Sequence, residues 1–372
     1  MKICYFNSGY LPDRGGVATL AAGLAENMAL HPAVDTVRVV AFKNTNPRTE
    51  KRGKLEIYAY GSWHTWQMIW LSFRHAWRAR NFDIFHATNI FPVGFLVLFF
   101  GKYLFGRKVF LTIHGTDTVT TRGSAFTRAL KSWTLRRVDA VLSNSRSTAE
   151  LAAAANGVER KKFTPVYIGV DEHLLETPAE GVREKHGLSE KDFVVLTVGQ
   201  LTRRKGVDDL IRAVAKISDP AVKLLVVGKG SEKERLQELA ADLKTGSRVI
   251  FAGAVSEIAG YYRAADVFSL TSRFIKEEGD VEGFGIVFLE AQLFGLPVIG
   301  TESGGIPETL RDGATGFLVP EGDSAAIAEK ILHLKNNRRE YERMAVAAEE
   351  FVRREFSWKK SVERHLEIYD KI

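Results

Sequence analysis

Unbroken apolar runs alternate with helix-periodic segments along almost the whole chain, and this alternation restricts the fold more than any other feature of the sequence. Strands are expected at residues 2–6, 37–42, 55–60, 83–87, 108–113 and 140–143, then at 193–198, 222–227, 249–251, 267–270 and 297–300. Many of these are continuous Val, Ile, Leu and Phe stretches rather than alternating ones, the pattern of strands covered on both faces. Between them apolar residues recur at helical spacing, as in Val17, Leu20, Leu24 and Met28, or Val207, Leu210, Ile211 and Val214. Strand–helix alternation implies an α/β fold with parallel sheets built from βαβ units.

A chain of 372 residues has room for two such domains. The alternation falters at about 171–190, where a polar stretch carries Pro178. Domains are therefore expected at 1–175 and 176–355, with a C-terminal helix, 356–372, whose Trp358 and Tyr369 pack back on the first. Parallel sheets bind ligands at the carboxyl ends of their strands, so the ligand is expected between the two. Neither half has the dinucleotide fingerprint: Gly228-Lys-Gly230 lacks a third glycine three residues on, and no phosphate loop of the G-x-x-x-x-G-K-[ST] type occurs.

Hydrophobic and charged contents of 45% and 26% are those of a soluble globular protein. The net charge of +7 admits an anionic partner: a nucleotide, a nucleic acid or a membrane surface. Cys4, the one cysteine, excludes an intramolecular disulfide and a cysteine-based zinc site. With no D-x-D pair and no His/Cys cluster of ligand spacing, no metal is expected. The first strand begins at once, so no signal peptide is expected. The apolar run 91–105 is interrupted by Pro92, Gly94, Gly101 and Lys102 and is too short for a membrane span. A cytoplasmic location is expected.

The segment from Glu282 to Glu290 carries the most chemistry. Two carboxylates stand eight positions apart, separated by Gly283, Phe284 and Gly285 and then by Ile286, Val287 and the rest of an apolar helix. A mostly helical span would separate them by about 12 Å. Glycines let backbone come close to a ligand, and the first N–H groups of the helix favour an anion. One carboxylate for a sugar, N–H groups for a pyrophosphate and a second carboxylate for another sugar describe a nucleotide-sugar site. A pair of solvated glutamates would need no such glycines between them.

Other segments point the same way. Arg204 and Lys205 precede a helix start marked by Gly206 and Asp208-Asp209. Cations there oppose the helix dipole unless an anion joins them, so the turn is either a solvated basic loop or a grip on a diphosphate. Gly15-Gly16, after the first strand, is either an ordinary turn or a phosphate approach. His114, at the end of the strand 108–113, either faces the ligand or is a turn histidine held by Asp117. The stretch from Thr301 to Thr309, with Gly304, Gly305 and Pro307, either borders the phosphate site or, slightly favoured, merely connects elements. In the first half, Trp63, Trp66, Trp70, Phe73 and Trp77 recur near helical spacing, with Arg74, Arg78 and Arg80 among them. Lys102, Arg107 and Lys108, then Arg122, Arg128, Lys131, Arg136 and Arg137, follow. This is either core aromatics with solvated arginines or a face for anionic lipid.

Taken together, these segments resemble the retaining glycosyltransferases of the GT-B fold known as glycosyltransferase family 4. The likeness extends over nearly the whole chain and includes Gly15-Gly16, Asp83 to His86, His114 to Asp117, Ser143 to Ser145, Ile168 to Asp171, Val198-Gly199 with Lys205-Gly206, Val226 to Gly228 and Ala265 to Phe268. Its most specific part is Gly279 to Ala291 with Gly304 to Glu308. Within the family the chain is similar to bacterial enzymes acting on lipid-linked acceptors, including phosphatidylinositol mannosyltransferases.

The resemblance implies two Rossmann-like domains facing across a deep cleft, and a role for each matching residue. Glu282 would contact donor-sugar hydroxyls, backbone N–H groups from Phe284 to Val287 the phosphates, and Glu290 the ribose. Arg204 and Lys205 would neutralise the leaving diphosphate. Gly16 would let the first domain close on the phosphates, and His114 would lie near the anomeric carbon. Family members often carry Arg directly after the strand-end glycine, where this chain has Gln200, and Arg204 would supply that charge. The expected reaction is metal-free, cofactor-free transfer of a hexose from a UDP-, GDP- or ADP-sugar, with retention. The acceptor would be lipid-linked or a lipopolysaccharide or polysaccharide, at the inner face of a bacterial membrane, with an anionic membrane surface as partner and no nucleic acid. The competing readings are a UDP-sugar 2-epimerase of related architecture and a non-catalytic membrane-surface or nucleic-acid binder.

Overall fold

The unbroken apolar runs form parallel strands. A computed structural model of the protein describes residues 1–11, 16–61, 64–115, 124–178 and 181–372. Gly15, Trp63, Thr116, Asp117 and Arg122 lie outside the described residues. The chain divides into two units, Met1–Gly169 with Phe356–Ile372, and Val170–Glu355.

The first unit contains β1 (Lys2–Asn7), β2 (Thr36–Ala41), β3 (Arg48–Arg52), β4 (Leu55–Ala59), β5 (Ile84–Ala87), β6 (Lys108–Ile113), β7 (Ala140–Ser143) and β8 (Phe163–Pro165). They form one sheet in the order β3-β4-β2-β1-β5-β6-β7-β8. Only β3 runs antiparallel, against β4. The second unit contains β9 (Phe193–Val198), β10 (Val222–Val227), β11 (Val249–Gly253), β12 (Val267–Leu270), β13 (Val298–Thr301) and β14 (Gly316–Val319), all parallel, in the order β11-β10-β9-β12-β13-β14.

Burial explains why the runs are continuous. In β6, Val109 and Leu111 enter the apolar cluster on one side of the sheet, while Phe110 enters the cluster on the other. In β9, Val195 and its neighbours Val194 and Leu196 divide in the same way between two clusters of the second unit. Successive side chains point to opposite faces, so a strand covered twice has no polar position to spare. The strands that escape an apolar scan are edge strands. β3 is Arg-Thr-Glu-Lys-Arg, a charged edge of the kind that resists further pairing, and β8 and β14 close sheet ends with three and four residues.

The terminal helix Trp358–Lys371, capped by the Ser357 side chain accepting from the Lys360 N–H, lies on the first unit. It packs against α1 (Gly16–Leu30). The Trp358 ring fills the space that a Cβ on Gly23 or Gly169 would occupy, at 2.1 and 2.5 Å. Tyr369 is fully buried, and its hydroxyl sits 3.2 Å from that of Tyr5 and 2.5 Å from His86 Nδ1. His86 Nε2 meets Thr112 Oγ1 at 2.7 Å. One polar chain thus ties the last helix to β1, β5 and β6.

The first unit ends at Gly169, earlier than the 175/176 boundary read from the sequence. The reason is local. Glu172 pairs with Arg353, and Arg263 donates to the Leu175 and Thr177 carbonyls, so this segment is held by the second unit.

The apolar run is a helical stretch over residues 90–104. Among the described residues no helix is long and apolar enough to cross a membrane.

Candidate active site

Three of the residues singled out in the sequence meet in the second unit. Arg204 and Lys205 lie in the turn after β9, and Glu282 lies in the loop after β12. Glu282 Oε2 accepts from Arg204 Nη1, from Lys205 Nζ at 2.6 Å and from Ser272 Oγ at 3.2 Å. Asp280 Oδ1 is 2.9 Å from Arg204 Nε. The loops are tied by the Arg273 N–H donating to the Arg204 carbonyl at 2.8 Å and by Thr271 Oγ1 donating to the Gly206 carbonyl at 2.7 Å.

The electrostatics follow from burial and pairing. Glu282 is 9% exposed. Burial alone would push its carboxyl up, but Lys205 and Arg204 outweigh it and hold the pKa at about 2. The acidic pair that opens α4 (Val207–Lys216) has a different partner: Asp208 and Asp209 each accept from Arg273 Nη2 at 2.7 Å. The anion that balances Arg204 and Lys205 is therefore Glu282, assisted by Asp280.

Helix α5 spans Ile286–Leu293, preceded by Gly285 at φ 94°. The expected spacing of about 12 Å assumed a mostly helical span; Glu282 stands outside the helix, because Gly285 breaks it. The amides of Ile286 and Val287, in the first turn, have no intrahelical acceptor. Glu290 is partly buried on the same helix, and its Oε2 accepts from the Tyr262 hydroxyl at 2.7 Å. Burial raises the Glu290 pKa, and the Tyr262 hydrogen bond offsets part of that rise.

Gly304-Gly305 is more than a connector. Gly304 has φ 53°, and a Cβ there would stand 2.2 Å from the Glu282 carbonyl oxygen. A Cβ on Gly305 would stand 2.3 Å from the Gly283 carbonyl oxygen, and the Gly305 N–H donates to the Glu282 carbonyl at 2.9 Å. These two glycines let the turn after β13 press on the backbone of the Glu282–Phe284 turn. Asp280, two positions before Glu282, was the signal available in sequence; Ser272, Tyr262 and Arg273 carried none.

The remaining expected residues, Gly16 and His114, belong to the first unit. Nothing lies within 4 Å of a Cβ built on Gly16. His114 is 8% exposed, and burial lowers its pKa to about 4, so the ring is neutral at neutral pH. Its Nε2 has no hydrogen-bond partner among the described residues. The same holds for side-chain oxygens of Asn7, Thr88, Asn89 and Asn144, buried residues that follow or end β1, β5 and β7. These strands and β6 are neighbours in the sheet, so an underemployed polar row lines their carboxyl ends. Among the described residues no group of three or more His, Cys, Asp or Glu side chains is placed to hold a metal ion.

Two parallel-sheet units, one bearing a cation pair beside a glycine turn at a helix start, define a nucleotide-sugar-type α/β architecture. Residues 14–174 match the model of Glycosyltransferase Family 4, and residues 179–351 match that of Glycosyl transferases group 1. The chain belongs to these glycosyltransferases and has the GT-B fold. It is 29% identical over 297 residues to N-acetyl-alpha-D-glucosaminyl L-malate synthase of Bacillus anthracis, covering 78% of this chain and 74% of the relative. It is 34% identical over 235 residues to the GDP-mannose-dependent alpha-(1-6)-phosphatidylinositol monomannoside mannosyltransferase of Mycolicibacterium smegmatis, covering 60% of this chain and 61% of that enzyme. The chain thus spans less than two thirds of the mannosyltransferase's length. In fold it is similar to the Anabaena HepE protein solved with UDP, with a TM-score of 0.80 over the full length of both chains at 22% identity.

Proposed function

We propose that this glycosyltransferase moves a hexose from a nucleoside-diphosphate sugar to a lipid-linked or saccharide acceptor, with retention of anomeric configuration and without a metal, at the inner face of a bacterial cytoplasmic membrane. The convergence of Arg204, Lys205 and Glu282 beside the α5 helix start carries this reading. A diphosphate settled there meets two fixed cations and the free Ile286 and Val287 amides, and its developing negative charge is offset as it departs. The three donors to Glu282 all reach Oε2, which leaves Oε1 to accept a sugar hydroxyl. Glu290, held by Tyr262, takes the ribose hydroxyls.

In the first unit the polar row from Asn7 to Asn144 supports a hydroxyl-rich acceptor. Neutral His114 offers such an acceptor a hydrogen bond without charge. For retention, the acceptor hydroxyl oxygen bonds to the anomeric carbon on the face the diphosphate leaves. The carbon–phosphate oxygen bond breaks, and the hydroxyl proton passes to the departing phosphate oxygen. The mannosyltransferase relative, named for a phosphatidylinositol monomannoside, supports such an acceptor over an isomerised free sugar.

The test is release of nucleoside diphosphate from a donor panel with and without candidate acceptors, in the presence of chelator. The reading expects release only with acceptor and no loss on chelation. Conversion of the donor alone, or an absolute divalent-metal requirement, contradicts it.

A further inference from the structure

We propose that the outward face of α2 (Thr65–Arg78), the helical stretch 90–104 and α3 (Ala125–Arg137) docks on an anionic lipid bilayer. This deepens the acceptor half of the reading above and rests on the first unit alone, which does not contain Arg204, Lys205 or Glu282.

Helix α2 carries two apolar stripes. The inward one, Met68, Leu71, Ser72, His75 and Ala76, is buried. The outward one is more apolar still: Trp66, Ile69, Trp70, Phe73 and Trp77 are 68%, 43%, 52%, 37% and 51% exposed. A helix that needs only one core face keeps the other polar. Phe99, Tyr103 and Leu104 on the neighbouring stretch, and Phe126 on α3, extend the face. Nine of the thirteen large apolar side chains exposed among the described residues stand on these three elements, so they form a patch rather than the usual scatter. The patch is internally packed, with Phe73 against Phe100 at 5.5 Å, Trp77 against Phe105 at 5.9 Å and Tyr103 stacked on Trp133 at 5.8 Å.

Charge selects the occupant. None of the three elements contains an Asp or Glu. Arg74, Arg78, Arg128 and Lys131 stand among the apolar groups, and Arg74 and Arg80 lie over the Trp70 and Trp77 rings at 5.1 and 5.3 Å. An indole body with a guanidinium at its edge suits the depth where acyl chains meet headgroups. Exposed aromatics, interleaved cations and no acid over three adjoining elements fit a surface that is apolar below and negative above, which a bilayer of anionic lipid provides.

The experiment is co-sedimentation of the full chain with vesicles of phosphatidylcholine alone or mixed with phosphatidylglycerol. Binding to the mixed vesicles only, weakened by salt, is expected. The Arg74→Gln/Arg78→Gln variant should partition about thirtyfold less, at ~1 kcal/mol for each arginine near the surface. Trp66→Ser/Trp70→Ser should abolish binding. Both variants should keep wild-type thermal unfolding and donor binding. Absence of binding to mixed vesicles, or binding unchanged in both variants, overturns the proposal. So does a wild-type dimer that the tryptophan variant dissociates, since a second copy then covers the face. Loss of donor transfer with vesicle binding intact would sink the proposed function and leave this face standing.

Discussion

Glu282 shows what the sequence leaves open at the scale of one residue. The chain reads as carrying a carboxylate for a sugar and, far away, two cations for a diphosphate. The structure joins them, so that the carboxylate also offsets the charge of the cations and holds their position. Because the folded pKa of about 2 lies below the ordinary carboxylate value, the pair's stabilisation is complete above that ordinary value and fades as pH falls toward 2. Lys205→Ala should raise the Glu282 pKa by about one unit or more, read by carbon NMR of the carboxyl group; an unchanged titration would contradict the pairing. A second prediction concerns Gly304. Its positive φ and the carbonyl 2.2 Å from a Cβ make Gly304→Ala costly, by about 2 kcal/mol or more, measured by denaturant unfolding of the second unit. A change within error would mean that the turn can shift without strain.

At the scale of elements, five strands covered on both faces were legible to the residue, and the other interior strands to within about a residue. The observed β6, β7, β9, β10 and β12 coincide with the apolar runs, because double burial leaves no polar interruption. β3 was not legible, since a sheet edge rewards charge and its pairing is fixed by β4 rather than by its own composition. The site divides in the same way. Glycines and carboxylates near one another in sequence were readable, whereas Ser272 and the contact of Gly304-Gly305 with Glu282–Phe284 arise from loops brought together by adjacent strands, and Tyr262 reaches Glu290 from the helix Ala259–Ala264. The terminal helix offers a test at this scale. Tyr369→Phe removes the hydroxyl between Tyr5 and His86 and leaves His86 Nδ1 buried without its partner. A loss of about 1–3 kcal/mol is expected in the unfolding of the first unit. No loss would show that this polar chain does not hold the helix.

For the whole molecule, the two units differ in how they answer to acid. Burial lowers the pKa of His75 to about 3 and of His114 and His365 to about 4, and carries His86 well below its usual value. All four belong to the first unit. Each stays neutral when folded and takes up a proton when unfolded, so stability present above pH 6.5 is lost as pH falls toward about 4. Calorimetry should show the first unit's transition moving down ahead of the second's over that interval. Parallel movement of both would contradict the burial of these imidazoles.

The central claim is that one charged cluster in the second unit grips an activated sugar. It is tested most directly by the thermal shift of wild-type, Lys205→Ala and Glu290→Ala proteins with UDP-, GDP- and ADP-sugars. The account predicts that one class of donor stabilises the wild type, by ~2.7 kcal/mol at a hundred times Kd, and that both variants lose the shift while unfolding as cooperatively as the wild type. Equal stabilisation of all three proteins, or of none, would contradict it.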